Sequence, residues 1–167
     1  MAKNKNKAKF EIPNPLTSVN NLDTSKKYVF GEAANRLNDI KQHRPVFAFD
    51  YISLANSTFC FNSNLINPKK DYHRLFNSFK SISNKSYGDL SSENSFHFHE
   101  VDFSDTQISQ SDFIKCLVPN ANKVNLDHCP TVYQFKTFEE ARVFGFVSKM
   151  IFYLVFFDRN HNAYKRK

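Results

Sequence analysis

The strongest periodicity in the chain lies between residues 69 and 82, where Tyr72, Leu75, Phe76, Phe79 and Ile82 recur at i, i+3, i+4 and i+7 behind an Asn67-Pro68 opening. At 3.6 residues per turn these side chains share one stripe, so the segment predicts a helix with its apolar face in the core. Shorter helical patterns sit within residues 25–40 (Ala33, Ala34, Leu37, Ile40) and across residues 109–117, where Ser109 or Ser111 is the candidate cap. Residues 87–90 add a possible single turn before Ser91-Ser92-Glu93-Asn94 breaks it.

Strand patterns fill much of the rest. Residues 46–54 and 58–61 are β-rich runs separated by Ala55-Asn56-Ser57, which predicts a hairpin. Residues 95–103 set Phe96, Phe98 and Val101 against His97, His99, Glu100 and Asp102, the alternation of a half-exposed strand. Residues 131–138 form another strand pattern. Residues 141–147 and 150–157 predict a terminal hairpin turning at Ser148-Lys149, and the second of its strands is apolar on both faces, which places it inside the sheet. The order predicts an α+β fold, a mainly antiparallel sheet with two or three helices in a single domain. Eight strand aromatics (Phe47, Phe49, Phe59, Phe61, Phe96, Phe98, Phe144 and Phe146) are read as the one core face of that sheet. Exposed, they would stack unpaired bases.

Charge divides the chain differently. The net charge is +7, but residues 1–45 carry +5, residues 159–167 carry +4, and the body between them is slightly acidic. Residues 1–9 are too polar to offset their ordering entropy, which predicts a disordered basic tail. Residues 10–45 then read as an extended and helical arm, and 46–167 as the core domain. Lys3, Lys5, Lys7 and Lys9 at one end, with Arg159, Lys165, Arg166 and Lys167 at the other, are candidate phosphate contacts. The same cations also serve a plain solubilising tail.

Several function classes lack their motifs. There is no Gly-rich phosphate loop, GxSxG or HExxH pattern. Cys60, Cys116 and Cys129 are odd in number and widely spaced, against a disulfide framework or a CxxC site. No apolar core follows the basic N-terminus, and the longest apolar run is about half a membrane span, so the expectation is a cytoplasmic protein without a membrane partner. His97 and His99, two residues apart on a strand, would stand about 7 Å apart on one face. As metal ligands they need further partners, and Asp102, His128 and Cys129 lie on no recognised spacing. No metal or cofactor is therefore expected, and the pair is kept as auxiliary acid/base groups.

The terminal hairpin carries the main chemical candidate. Its pairing brings Arg142 toward residues 155–157, within reach of Asp158, Arg159, His161 and Tyr164. His or Tyr there could activate a ribose 2′-hydroxyl or protonate a leaving 5′-oxygen, while Arg stabilises the charge on phosphorus, with no metal needed. The structural alternative is an Arg142–Asp158 ion pair, with Asp158 opening an Asx turn and Tyr164 packing on the sheet edge. The pattern Arg-Val-Phe-Gly-Phe, turn, Ile-Phe-Tyr-Leu-Val-Phe-Phe-Asp, then His161 and Tyr164, resembles the terminal hairpin of RelE/YoeB-like mRNA interferase toxins over about 24 residues. It is also similar to the endings of uncharacterised mobile-element proteins. The toxin resemblance implies catalytic roles for Arg142, His161 and Tyr164, an RNA substrate and a protein or RNA antitoxin. The expectation is thus an RNA-directed protein of toxin-antitoxin, phage or defence type, acting as a metal-independent endoribonuclease. The alternative is a non-catalytic module of a mobile element that docks on a nucleoprotein or protein partner as inhibitor or adaptor.

Overall fold

A computed structural model describes residues 34–54, 58–118, 127 and 129–165. Its centre is a five-stranded sheet in the order β1-β5-β4-β3-β2, formed by Val46–Ala48, His99–Glu100, Val132–Lys136, Arg142–Ser148 and Ile151–Asp158 as β1 to β5. Only the β1–β5 pair is parallel, so the sheet is mixed but mainly antiparallel, and the fold is α+β. The described helices are α1 (Leu37–Ile40), α2 (Pro68–Ile82), α3 (Tyr87–Ser92) and α4 (Gln110–Leu117). That is one more than the upper expectation, because both the short turn at Leu37 and the one at Tyr87 close as helices.

Local chemistry explains the helix ends. Asn67 accepts from the Lys70 N–H ahead of Pro68 in the first turn of α2. Ser109 caps α4 by accepting from the Asp112 N–H, and Asp112 returns the bond to the Ser109 N–H. Of the α2 stripe, Leu75, Phe79 and Ile82 are buried, whereas Phe76 is 59% exposed.

The sheet is covered on both faces, which corrects the one-face reading of its aromatics. Phe61 and Phe98 pack with Ile40, Leu75, Phe79 and Leu90 on the α1–α2–α3 side. Phe59, Phe144 and Phe146 pack with Phe113 and Leu117 on the α4 side. Phe47 and Phe96 are partly buried, and Phe49 is exposed. A register shift near Phe144/Gly145 lets both Val155 and Phe156 join the α4-side core, so β5 changes face without leaving the sheet. Gly145 is required there, because an added Cβ would lie 2.1 Å from the Tyr153 carbonyl oxygen.

Three further expectations are corrected. The first predicted hairpin does not form: only Val46–Ala48 is a strand, and it pairs with β5. Beyond it, the Ser53 N–H donates to Val155 O at 2.7 Å and the Phe157 N–H to Phe59 O, so single bonds from irregular chain cover the β5 edge. The Ala55-Asn56-Ser57 turn lies outside the described residues. The long strand at 95–103 is reduced to His99–Glu100, because residues 94–96 form a 3₁₀ turn and His97 is left-handed at φ 44°. The terminal hairpin turns one residue later than expected, at Lys149-Met150, where both φ angles are positive as a two-residue hairpin loop requires. Residues 34–45 lie against the body: the Asn35 N–H donates to Val147 O, and Ile40 is 1% exposed. The 1–9 tail and the rest of the arm to residue 33 lie outside the described residues.

Candidate active site at the open end of the terminal hairpin

The ends of β3, β4 and β5 on the α4 side carry charged residues beyond the apolar Val132, Phe144, Phe146 and Phe156 of that face. Lys136, Arg142 and Asp158 form a row across three strands, since Arg142 is the register partner of both others. Arg142 is 4% exposed and Asp158 1%. The Arg142 Nη1 donates to the carbonyls of Glu140 at 3.0 Å and Ala141 at 3.2 Å, so the β3–β4 loop holds the guanidinium in place. Its Nε is buried with no hydrogen-bond partner among the described residues. Burial pushes the Arg142 pKa down, while the charges of Glu140 and Asp158 oppose that shift.

Asp158 builds the turn that carries the next candidate. Its Oδ1 accepts from the Asn160 N–H at 3.2 Å and its Oδ2 from the Ala163 N–H at 2.7 Å. This is the Asx-type turn expected from the residue order, and it leaves His161 left-handed at φ 56°. His161 Nδ1 lies 3.9 Å from Glu140 Oε2, and Arg142 Nη2 lies 3.9 Å from the same oxygen. The two nitrogens are therefore no more than about 8 Å apart. The Tyr164 ring is 5.3 Å from His161 and 6.3 Å from Phe144. Backbone bonds from Gln107 to Ala163 and from Lys165 to Asp105 tie this segment to the chain ahead of α4.

Burial, then the charge of Arg142, lowers the His161 pKa, with Asp158 and Glu140 opposing. His97 is lowered in the same way, by burial and then by Arg142 and Lys136. Both imidazoles thus favour the neutral form near pH 7. Burial pushes the Tyr164 hydroxyl up to about 12, so it keeps its proton; that oxygen is buried without a partner among the described residues.

The structure separates the two strand histidines. His97, in its left-handed turn, is electrostatically coupled to Arg142, Glu140 and His161. His99 instead has both ring nitrogens engaged, Nδ1 with Glu100 O at 2.8 Å and Nε2 with Gln134 Nε2 at 2.7 Å. Since a carbonyl only accepts, Nδ1 carries the proton and Nε2 accepts from the Gln134 amide. His99 lines a separate cavity of about 580 Å³ with Arg36, Asn38, Ser91 and Tyr133. Among the described residues no group of three or more His, Cys, Asp or Glu is placed to hold a metal ion, and Cys60, Cys116 and Cys129 are free thiols.

Of the candidate phosphate contacts, Arg159 is engaged by Asp71 at 2.8 Å and Glu139 at 2.7 Å, and stacks over Phe138. Lys165 is exposed, with its Nζ donating to Ser104 O. Lys3, Lys5, Lys7, Lys9, Arg166, Lys167 and also His128 lie outside the described residues. Sequence reasoning missed Glu140 and Gln134. Glu140 is visible only as one of two adjacent acids, and nothing in that pair says which one faces the histidine.

A family model described as "Uncharacterised protein UU032" matches residues 54–167. The chain belongs to this family. The UU032 match takes in α2, β2 to β5 and every described residue of the Arg142 cluster, and begins after β1. Neither the curated proteins nor the solved structures compared with the chain contain a match. Among the described residues, no helix is long and apolar enough to cross a membrane.

Proposed function

We propose that this chain is an RNA-directed protein of toxin-antitoxin, phage or defence type that cleaves RNA without a metal. The observation that carries this reading is the convergence of Arg142 and His161 on one Glu140 oxygen, with Tyr164 against the imidazole. The loose resemblance of the terminal hairpin to mRNA interferases points the same way.

The chemistry needs three things of these residues. Neutral His161 takes the proton of the ribose 2′-hydroxyl as its oxygen bonds to phosphorus. The P–O bond to the 5′-oxygen breaks, and that oxygen takes a proton from water, or from His97 in the minority of molecules in which that imidazole is protonated. The 2′-hydroxyl supplies the nucleophile, so the products are a 2′,3′-cyclic phosphate and a 5′-hydroxyl. Arg142 lies beneath the reacting phosphate, where its fixed charge offsets the negative charge that grows on phosphorus; removing such a group typically costs about 10²–10³ in rate. Tyr164 packs on His161, and its buried hydroxyl keeps its proton.

A second reading, the non-catalytic module, is favoured by a different surface. Phe49, Leu54 and Phe76 are about half exposed or more and line an apolar groove of about 360 Å³ between the β1 side and α2. Exposed apolar surface of this kind suits a protein partner.

The deciding experiment incubates purified chain with labelled single-stranded RNA and DNA in EDTA, with His161→Ala and Arg142→Lys as controls whose folding is checked by circular dichroism. The proposal requires cleavage of RNA alone, ending in cyclic phosphate and lost in both variants. Salt-sensitive binding without cleavage overturns it and supports the docking module.

A further inference from the structure

Glu140 lies between a buried guanidinium and an imidazole, yet it closes a bond with neither. Its Oε2 is 3.9 Å from Arg142 Nη2 and 3.9 Å from His161 Nδ1. Charge-assisted hydrogen bonds run about 2.7–2.9 Å. The adjacent Glu139 reaches Arg159 at 2.7 Å. The Glu140 side chain is 66% exposed while that of Arg142 is 5% exposed, so the carboxylate lies over a buried guanidinium from the solvent side.

The remaining contacts of Arg142 make that position unusual. Its Nη1 bonds are to neutral carbonyls, and Nε has no partner among the described residues. Asp158, its register partner, directs both carboxylate oxygens to the N–H groups of Asn160 and Ala163. A buried cation with no closely bonded anion retains a strong demand for one. An exposed carboxylate held at 3.9 Å meets it weakly, because loose surface pairs contribute little.

We propose that Glu140 Oε2 marks the place of a phosphate oxygen, and that Glu140 is an intramolecular competitor which the RNA phosphodiester displaces on binding. This inference rests on the ribonuclease reading above for its substrate class. A phosphodiester offers two non-bridging oxygens, enough to meet the Arg142 fork and an imidazole together. Glu140 loses little by turning into water. Displacement also removes one negative charge from above the reacting phosphate. The competing role, in which Glu140 orients His161 for catalysis, predicts the opposite effect of removing it.

The test uses the full chain with Glu140→Gln and Glu140→Ala, both at an exposed side chain. Three probes are applied: inorganic phosphate followed by the histidine ring resonances, an uncleavable all-2′-deoxy oligonucleotide followed by fluorescence anisotropy, and RNA cleavage in EDTA. The expected result is about 5- to 10-fold tighter binding of phosphate and deoxy-oligonucleotide, with KM for RNA lowered similarly and kcat changed less than twofold. Unchanged or weaker phosphate binding overturns the proposal, and a fall in kcat at unchanged affinity makes Glu140 a positioning residue. If the variants bind phosphate more tightly but neither they nor the wild type cuts RNA, the ribonuclease reading falls while the anion site stands. If RNA is cut but affinity does not rise, the competitor falls alone.

Discussion

Two adjacent glutamates in the β3–β4 loop show how differently one loop serves the two sides of the sheet. Glu139, left-handed at φ 47°, turns toward α2, where it pairs with Arg74 and with Arg159. Arg159 is in turn bonded at 2.8 Å to Asp71, which is 2% exposed. Glu140 turns to the other side and meets Arg142 and His161 only at 3.9 Å. The first cluster is closed: every charge in it has a near partner, as buried charges require. The second is open, with a buried cation under a solvent-facing acid. Closed ion-pair networks hold structure in place, whereas an open one keeps capacity for a ligand. The closed cluster also serves the open one, since Arg159 directly follows Asp158 and ties the turn that carries His161 to α2.

This contrast breaks most sharply if the two clusters respond alike to mutation. The largest effect is expected in the open cluster: His161→Ala lowers RNA cleavage by about 10²–10⁴-fold with little change in melting temperature, measured by single-turnover assay and thermal unfolding. Next is the closed cluster, where Asp71→Asn leaves Arg159 without its buried partner and costs about 3 kcal/mol in urea unfolding. Gly145→Ala, in the middle of the strand that carries Arg142, costs about 1–3 kcal/mol by the same measurement, because its methyl meets the Tyr153 carbonyl and the Phe152 ring. The smallest stability effects separate the two acids: Glu139→Gln lowers the melting temperature measurably and Glu140→Gln leaves it unchanged.

The pH responses should also differ. Burial pushes the Asp71 carboxyl up, but hydrogen bonds from Arg159 and the Asn67 N–H outweigh it and hold the pKa below the usual carboxylate value. A depressed carboxylate contributes stability above its unfolded pKa, and that contribution is lost as pH falls through the lower folded value. Acid unfolding of the wild type should therefore be blunted in Asp71→Asn. His161 is depressed by burial and by Arg142, so the unfolded chain takes up its proton first and stability falls as pH drops below about 6.5. If His161 is the base, the acid limb of kcat/KM lies below 6.5. Glu140→Gln then shifts that limb further down, because Glu140 opposes the depression.

Much of the scaffold was legible in residue spacing. The α2 stripe, the Ser109 cap, the terminal hairpin and the inward place of β5 all follow from local periodicity and local hydrogen bonding. So does the Asp158 turn, because an aspartate before a polar segment can accept from the N–H groups two and five residues on, as Asp158 does from Asn160 and Ala163. The first hairpin was misread because β-rich composition reports burial, not partner choice: Tyr51, Ser53, Phe59 and Phe61 are buried, but beyond Val46–Ala48 the described residues reach β5 only through single bonds from irregular chain. The strand at 95–103 was misread because period-2 alternation of Phe and His carries no signal that His97 will adopt a left-handed backbone.

The candidate site divides along the same line. Arg142, His161 and Tyr164 could be named from order alone, since a hairpin whose turn is placed to within one residue brings them to one end within about 24 residues. The separation of His97 from His99, the capture of Arg159 by Asp71, and the choice of Glu140 over Glu139 at the cation were decided by the tertiary structure. Each depends on contacts between residues far apart in the chain, such as Arg159 with Asp71 and His99 with Gln134. Local pattern sets which face a side chain starts from; only the folded packing of distant segments sets which charges meet there.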